Sequence, residues 1–340
     1  MAGSLLQPDL THALIGKCSV EISVRGKWTR VPALDVSGNK LIVYGKRLKR
    51  AVVQDEEWLD SEVNDPELCV QALEGQTSGD LRADIFTFSQ MPPNTDPKYP
   101  YPFERDSVAV ASISSFKDWW EGLPQVTRKN VRRSQKRGVM VRVCQLDDEL
   151  IKGLVDLNND SPVRQGRRYS HYGKSFDQVR KDQSSFLDRC DFIGAYFGNE
   201  LVGFLKLVYR GQTASILQLL PKASHADKRP ANALVAKAVE ICDAKGITHL
   251  TYGLYNYGNK GDNPLREFKI RNGFSELLVP RYYVPLTLKG RLCMKLKLHR
   301  GLVGVLPQRI ISLGVAARSH WYHFKHSFSR RSLIVERPGL

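Results

Sequence analysis

The chain has 340 residues, 42% of them hydrophobic and 25% charged, enough to bury the cores of two ordinary domains, which excludes a disordered, fibrous or disulfide-stapled miniprotein. Its net charge of +16 is unevenly spread: 13 basic residues against 18 acidic in 1–126, 7 against none in 127–142, 20 against 16 in 143–288 and 11 against 1 in 289–340. Two short segments hold the basicity, which points to local anion-binding surfaces rather than a uniformly basic protein.

The first hundred residues contain alternating runs such as Cys18-Ser-Val-Glu-Ile-Ser-Val24 and Lys40-Leu-Ile-Val-Tyr44, which predict strands. The acidic stretch 55–65 predicts a short helix, and the five prolines between Met91 and Phe103 predict a loop closing an N-terminal α+β domain, placed at 1–110. The stretch 116–123 carries the Trp119-Trp120 pair, and a helix is expected over 127–137 with Thr127 as its N-cap and Gly138 past its end. A strand over 138–144 precedes helices over 147–158 and 176–189. Three strands over 191–197, 201–209 and 213–220, separated by Gly198-Asn199 and Arg210-Gly211 turns, read as an antiparallel meander. A long helix from Pro230 to Lys245 stops at Gly246, followed by a strand (248–254), a short helix (264–271) and a last strand region (276–286).

The six cysteines, at 18, 69, 144, 190, 242 and 293, form no Cys-x-x-Cys pair and have no histidine at ligand spacing. Free thiols in a reducing cytoplasm are expected, with no metal site and no disulfide framework. The amino terminus lacks a secretory pattern, and the most apolar part of the tail, 301–317, contains Pro307 and Arg309 and is too short to span a bilayer. The basic tail, 289–340, reads as an amphipathic element suited to an anionic inner membrane surface or to docking on the protein itself.

The order β-α-α-β-β-β-α-β-α-β, ending in Leu265-Arg-Glu-Phe-Lys-Ile-Arg-Asn-Gly-Phe274 before a last strand, resembles the GNAT superfamily of acyl-CoA N-acyltransferases. The basic run Arg128-Lys-Asn-Val-Arg-Arg-Ser-Gln-Lys-Arg-Gly-Val139 looks like the corresponding helix of the Fem-type branch, which includes peptidoglycan aminoacyltransferases and acyltransferases of polysaccharide clusters. The resemblance covers about half the chain and implies a mixed, mainly antiparallel α/β (α+β) sheet flanked by helices over 111–288. It also implies a cytoplasmic transferase using acyl-CoA as cosubstrate on an amine of a sugar, glycan precursor or similar small acceptor. Aminoacyl-tRNA is the other carrier that the Fem-type branch allows, and a catalytically dead scaffold is a third reading.

In that superfamily the end of the strand before the long helix and the start of that helix hold the carrier's pyrophosphate, through free amides and the helix dipole. The corresponding residues here are Gln218, Leu219, Leu220, Lys228, Arg229, Ala231, Asn232 and Ala233. The glycine usual in the loop is missing and Pro230 removes a donor. Amine acylation needs a base, and the leading candidate is His171, in the polar loop Asn158–Tyr172, because histidine titrates near neutrality. Arg164, Arg167 and Arg168 in that loop suit an acceptor bearing phosphate or carboxylate, and Tyr172, Tyr255 and Tyr257 are candidates for a sugar pocket. The superfamily's usual tyrosine acid is replaced near its place by Phe268, leaving Tyr282 and Tyr283 as candidate proton donors. The basic helix has only Val131 as a clearly apolar residue. A solvated face, or contact with the phosphates of an activated sugar, lipid headgroup or tRNA, both fit it. The overall charge also suits a non-catalytic nucleic-acid binder, although no helix-turn-helix, zinc-finger or RNP-like motif accompanies it.

Overall fold

The structure, a computed structural model, describes residues 15–24, 26–59, 61–164, 167–256 and 264–300. The strands and helices in chain order are β1 (Ile15–Val24), β2 (Lys27–Val36), β3 (Asn39–Tyr44), β4 (Arg50–Val53), α1 (Pro66–Glu74), β5 (Ile85–Ser89), β6 (Phe103–Ser112), α2 (Phe116–Gly122), α3 (Gln125–Lys136), β7 (Val139–Cys144), α4 (Asp148–Asn159), β8 (Val163–Arg164) and β9 (Arg167–Arg168). They continue with α5 (Phe176–Gln183), β10 (Cys190–Phe197), β11 (Glu200–Arg210), β12 (Thr213–Pro221), α6 (Pro230–Ala244), β13 (His249–Leu254), α7 (Pro264–Arg271), β14 (Ser275–Pro285) and α8 (Leu288–Lys295).

The chain divides into two compact units. The first runs to Asp106 and takes up the chain again from Leu278; the second holds Ser107–Leu277. In the first unit the strand order is β1-β2-β3-β4-β5-β14. Its core gathers Leu34, Leu41, Phe86, Phe88 and Tyr282 with α1, whose start is fixed by Asp65 accepting from Leu68 N at 2.8 Å and by Pro66. Among the described residues of 55–65 the expected helix is limited to one 3₁₀ turn, Glu56–Trp58. The carboxylates there are spent elsewhere: Glu56 accepts from Ser89 N and Arg281, and Glu62 from Met91 N and Lys98.

In the second unit the order is β6-β13-β12-β11-β10-β7, antiparallel throughout except for the parallel pair β12–β13. Alternation along the meander sends Ile193, Ala195, Leu205 and Leu207 to the face covered by α2, α3 and α6, and Phe192, Tyr196 and Phe204 to the face covered by α4 and α5. The basic helix α3 docks through a narrow stripe of Thr127, Val131 and Ser134. Thr127 is therefore not an N-cap. Pro124 holds that position, and the Thr127 hydroxyl donates to Arg271 O at 2.8 Å. The helix expected over 176–189 stops at Gln183 because Lys206 Nζ takes the carbonyls of Gln183 and Ser185, at 2.8 and 2.6 Å.

Candidate functional site

Strands β12 and β13 pair only from Thr213↔His249 to Ser215↔Thr251. Beyond that point β13 keeps its partner β6 and β12 turns away, with a bulge that leaves Leu217 unpaired between Gln218 and Ile216. A parallel pair that opens in this way exposes the end of one strand to a ligand rather than to a neighbouring strand. After Pro221 the chain makes a 3₁₀ stretch, Ala223–Lys228, then enters α6 through Arg229 in the left-handed conformation (φ 58°) with Pro230 at the first helical position. That backbone costs a non-glycine residue ~1–2 kcal/mol. Pro230 has no N–H, and the amide of Asn232 donates to Arg229 O at 3.2 Å, so this turn offers a ligand fewer amides than a glycine-rich one.

A cavity of about 680 Å³ lies at the end of β12, bounded by that strand end, the 3₁₀ stretch, the start of α6, the β8–β9 hairpin and Phe268 of α7. Four cations line it, Arg164, Arg168, Lys222 and Arg229, with no acid among the described lining residues, though Asp160 lies 3.8 Å from Arg164 just behind them. Two of the four are committed. Arg164 gives one N–H to Pro221 O and another to Leu157 O, each at 3.0 Å, and stacks on Tyr169 at 4.8 Å, so it ties the hairpin to the strand end. Lys222 pairs with Glu200 at 2.5 Å. Arg168 and Arg229 are exposed and form no ion pair with a described residue; they are the cations left to meet an incoming anion.

Two groups capable of proton transfer follow the hairpin: Tyr169, which lines the cavity, and His171, which stands behind it and is not among the lining residues. Tyr169 lines the cavity, donates its hydroxyl to Asn158 Oδ1 at 2.8 Å and is hydrogen-bonded to Gln218. Burial pushes its phenol up to about 12, against the pull of the Arg164 guanidinium, so it is a neutral donor at any physiological pH. Two residues on, the His171 ring lies 5.4 Å from that of Tyr169. Its Nδ1 is 3.0 Å from Asp182 Oδ2, which also receives Lys174 Nζ at 2.5 Å. An Nδ1–H facing that carboxylate leaves Nε2 as the acceptor. Behind this layer the buried Lys206, whose ammonium burial pushes down to about 8, anchors Gln183, and Gln183 Nε2 donates to Gln218 Oε1 at 2.9 Å.

Of the residues expected at the carrier site, Leu219, Leu220, Arg229, Ala231 and Asn232 line the cavity. Gln218 lies behind them, bound to Gln183. Lys228 does not line the cavity: its ammonium sits 4.6 Å from the Phe197 ring and 3.7 Å from Asp227. Ala233 is buried in the core. Of the acceptor candidates, Arg164 lines the cavity, Arg167 pairs with Arg164 across the hairpin backbone, and Tyr172 is exposed beside it. Tyr255 is a core residue under Arg266; Tyr257 and the tail 301–340 lie outside the described residues.

Tyr282, a candidate proton donor, is fully buried in the first unit, where its hydroxyl bonds Gln90 and accepts from Lys98 N at 2.8 Å, and its ring stacks on Phe88. Tyr283 is likewise in the first unit, beside His299. Tyr169 and Asp182 were not legible as site residues. The nearness of Tyr169 to His171 in the same polar loop is the one signal for the first, and nothing local marks Asp182, which comes from the following helix.

A scan against protein-family models and a search of curated proteins find no match. Among solved structures the chain is similar to the C-terminal DUF2156 domain assigned to lysylphosphatidylglycerol synthetase of Agrobacterium fabrum, with 16% identity, a TM-score of 0.51, and 77% of this chain and 86% of that chain covered. It is also similar to FemX (12% identity, TM-score 0.45, 86% and 94% covered) and to a tandem GNAT protein from the clavulanic acid biosynthesis pathway (10%, 0.44, 81% and 84%). The element order, the splayed parallel pair and the first of these likenesses give the fold as GNAT-like, a mainly antiparallel mixed sheet flanked by helices.

Proposed function

We propose that the second unit is an acyltransferase that moves an acyl group from the thioester of an acyl-CoA to an amine of a sugar, glycan precursor or similar small acceptor in the cytoplasm. The observation that carries this reading is the cavity between the end of β12 and the start of α6, lined by four cations with no carboxylate among the described lining residues. A site of this volume holds a sizeable ligand, and an all-cationic lining raises the local concentration of a polyanion such as the carrier's phosphates. Arg168 and Arg229 would bind those phosphates; Lys222 is neutralised by Glu200.

In the reaction the acceptor nitrogen attacks the thioester carbonyl, the C–N bond forms and the C–S bond breaks. His171 Nε2 takes the proton from the amine, and Asp182 holds the imidazole and balances the imidazolium. The Tyr169 hydroxyl, held neutral by burial, would exchange its bond to Asn158 Oδ1 for one to the developing oxyanion or for proton donation to the departing thiolate, the role for which Phe268 has no group.

A second reading keeps the fold and changes the carrier to aminoacyl-tRNA. It is favoured by α3, which exposes Lys129, Arg132, Arg133 and Lys136 with no acid on the helix, and by the scarcity of free amides at Pro230. The first structural neighbour's name joins lysine to phosphatidylglycerol, which is aminoacyl chemistry of the same kind.

The test is transfer from radiolabelled acyl-CoAs to a panel of amino sugars, run beside transfer from charged tRNA. The first reading expects acyl-CoA turnover, with a loss of ~10²–10⁴-fold in kcat for His171→Gln and little change in the affinity for acyl-CoA. Turnover from charged tRNA alone overturns it in favour of the second, and full activity of His171→Gln removes the base.

A further inference from the structure

We infer that α8, in the first unit, is a docking element for an anionic lipid surface. This inference goes beyond the transferase reading and does not depend on it. Helix α8 and the turn after it hold Leu288, Leu292, Leu296 and Leu298 out in solvent at 82%, 57%, 57% and 51% exposure. The first three recur at intervals of four, so they form one stripe along the helix. Four large apolar side chains in eleven residues, all facing water, do not arise from ordinary surface composition.

The element is fixed in this attitude at both ends. At its start, Thr287 caps the helix by accepting from Gly290 N and donates to Asp84 Oδ1, both at 3.0 Å, and Lys289 pairs with Asp84 Oδ2 at 3.0 Å. Gly290 lies so close to the backbone of Asp84 that a Cβ there would meet the Asp84 carbonyl oxygen at 2.0 Å. At its end, the buried His299 and Arg300 both reach Glu104, each at 2.8 Å. The inward face is therefore committed to the first unit, and the leucines cannot rotate into it.

Charge selects the occupant. Residues 288–300 contain five Lys or Arg and no acid, and Arg291, Lys295 and Lys297 are exposed without an ion pair to a described residue. An apolar stripe edged by long cationic side chains is the pattern of a helix lying in the headgroup region, leucines in the acyl boundary and ammonium groups at the phosphates. The chain's own residues 301–340 carry six Lys or Arg and one acid and so oppose these cations, while their apolar stretch 301–317 is the competing cover that the thermal midpoint below reads. A second copy would oppose the same cations, and an acidic protein partner would be read through ion pairs more than through bare leucines.

The test is co-sedimentation of the full chain with vesicles of phosphatidylcholine alone and of phosphatidylcholine with an equal part of phosphatidylglycerol. Binding is expected only with the anionic vesicles and to weaken with salt. Leu288→Glu with Leu292→Glu is expected to weaken it by ~10-fold or more, with thermal midpoint and oligomeric state unchanged. Lys295→Glu with Lys297→Glu is expected to weaken it by ~10-fold and to flatten the salt dependence. Unchanged pelleting of the leucine variant overturns the inference. So does a leucine variant that loses several degrees of thermal midpoint, which would mean the stripe is covered by the chain's own tail, or one that turns a dimer into a monomer. Retention by an acidic protein in place of vesicles does the same.

Discussion

Lys206 offers a sharp check on how the site is supported. It is fully buried on β11, and its ammonium donates to Gln183 O, Ser185 O and Ser185 Oγ at 2.8, 2.6 and 3.2 Å. Replacing it by methionine fills nearly the same space, so the packing change is small. Two opposing contributions follow. Two buried carbonyls lose their donor, at ~1–3 kcal/mol each. Against this, the variant no longer buries a charge whose pKa burial has lowered from 10.5 to about 8, a difference of ~3 kcal/mol at pH 7. The two nearly offset at neutral pH, and the pH dependence separates them. A lysine with a lower pKa folded than unfolded makes its contribution at high pH: it is complete above about 10.5 and is lost as the pH falls through about 8. The cost of Lys206→Met is therefore expected to grow by ~3 kcal/mol between pH 7 and 10.5. Urea unfolding of both proteins at half-unit pH intervals measures it, with the difference between them cancelling every other titrating group. A difference that stays flat to within ~0.5 kcal/mol across that range would show that Lys206 is not held in a desolvated environment, and the proposed anchoring of Gln183 behind the cavity would fail with it.

Other outcomes follow from the same geometry. Asp182→Asn is expected to lower kcat by a factor of ~10²–10⁴ and to shift the pH profile of kcat/KM while leaving KM for the acyl donor nearly unchanged, since it acts through His171. Tyr282→Phe is expected to leave turnover intact and to lower stability by ~1–3 kcal/mol, read by thermal unfolding, because its hydroxyl serves Gln90 and the backbone of Lys98 in the first unit. Phe204→Ala, at a fully buried ring between β10 and α4, is expected to cost ~3–5 kcal/mol in chemical denaturation.

The local grammar of the second unit was legible because each of its elements has its own punctuation. Pro230 and Gly246 bracket α6, Asp147 caps α4 through Leu150 N at 2.8 Å, and Gly198 and Gly211 turn the meander at positive φ. The elements misjudged are those decided by distant partners. Residues 55–65 look helical until their carboxylates find Ser89 N, Arg281, Met91 N and Lys98. Helix α5 looks longer until a lysine from β11 takes its last carbonyls. Tyr282 is a candidate in the sequence because Phe268 stands where a tyrosine acid is usual; from Leu278 onward its strand belongs to the first unit, paired with β5. At the site, the side chain of Lys228 turned to Phe197 while that of Arg229 faced the cavity, a choice set by the left-handed residue at the start of α6, and no spacing in the sequence carries it.

That contrast between adjacent cations gives the most direct measurement of the claim that an anionic carrier enters between β12 and α6. Coenzyme A is titrated calorimetrically into the unaltered protein, into Lys228→Glu and into Arg168→Glu with Arg229→Glu. One-to-one binding is expected, nearly unchanged in the first variant and weakened ~10-fold or more in the second. No binding to the unaltered protein, or an equal loss in both variants, would contradict it.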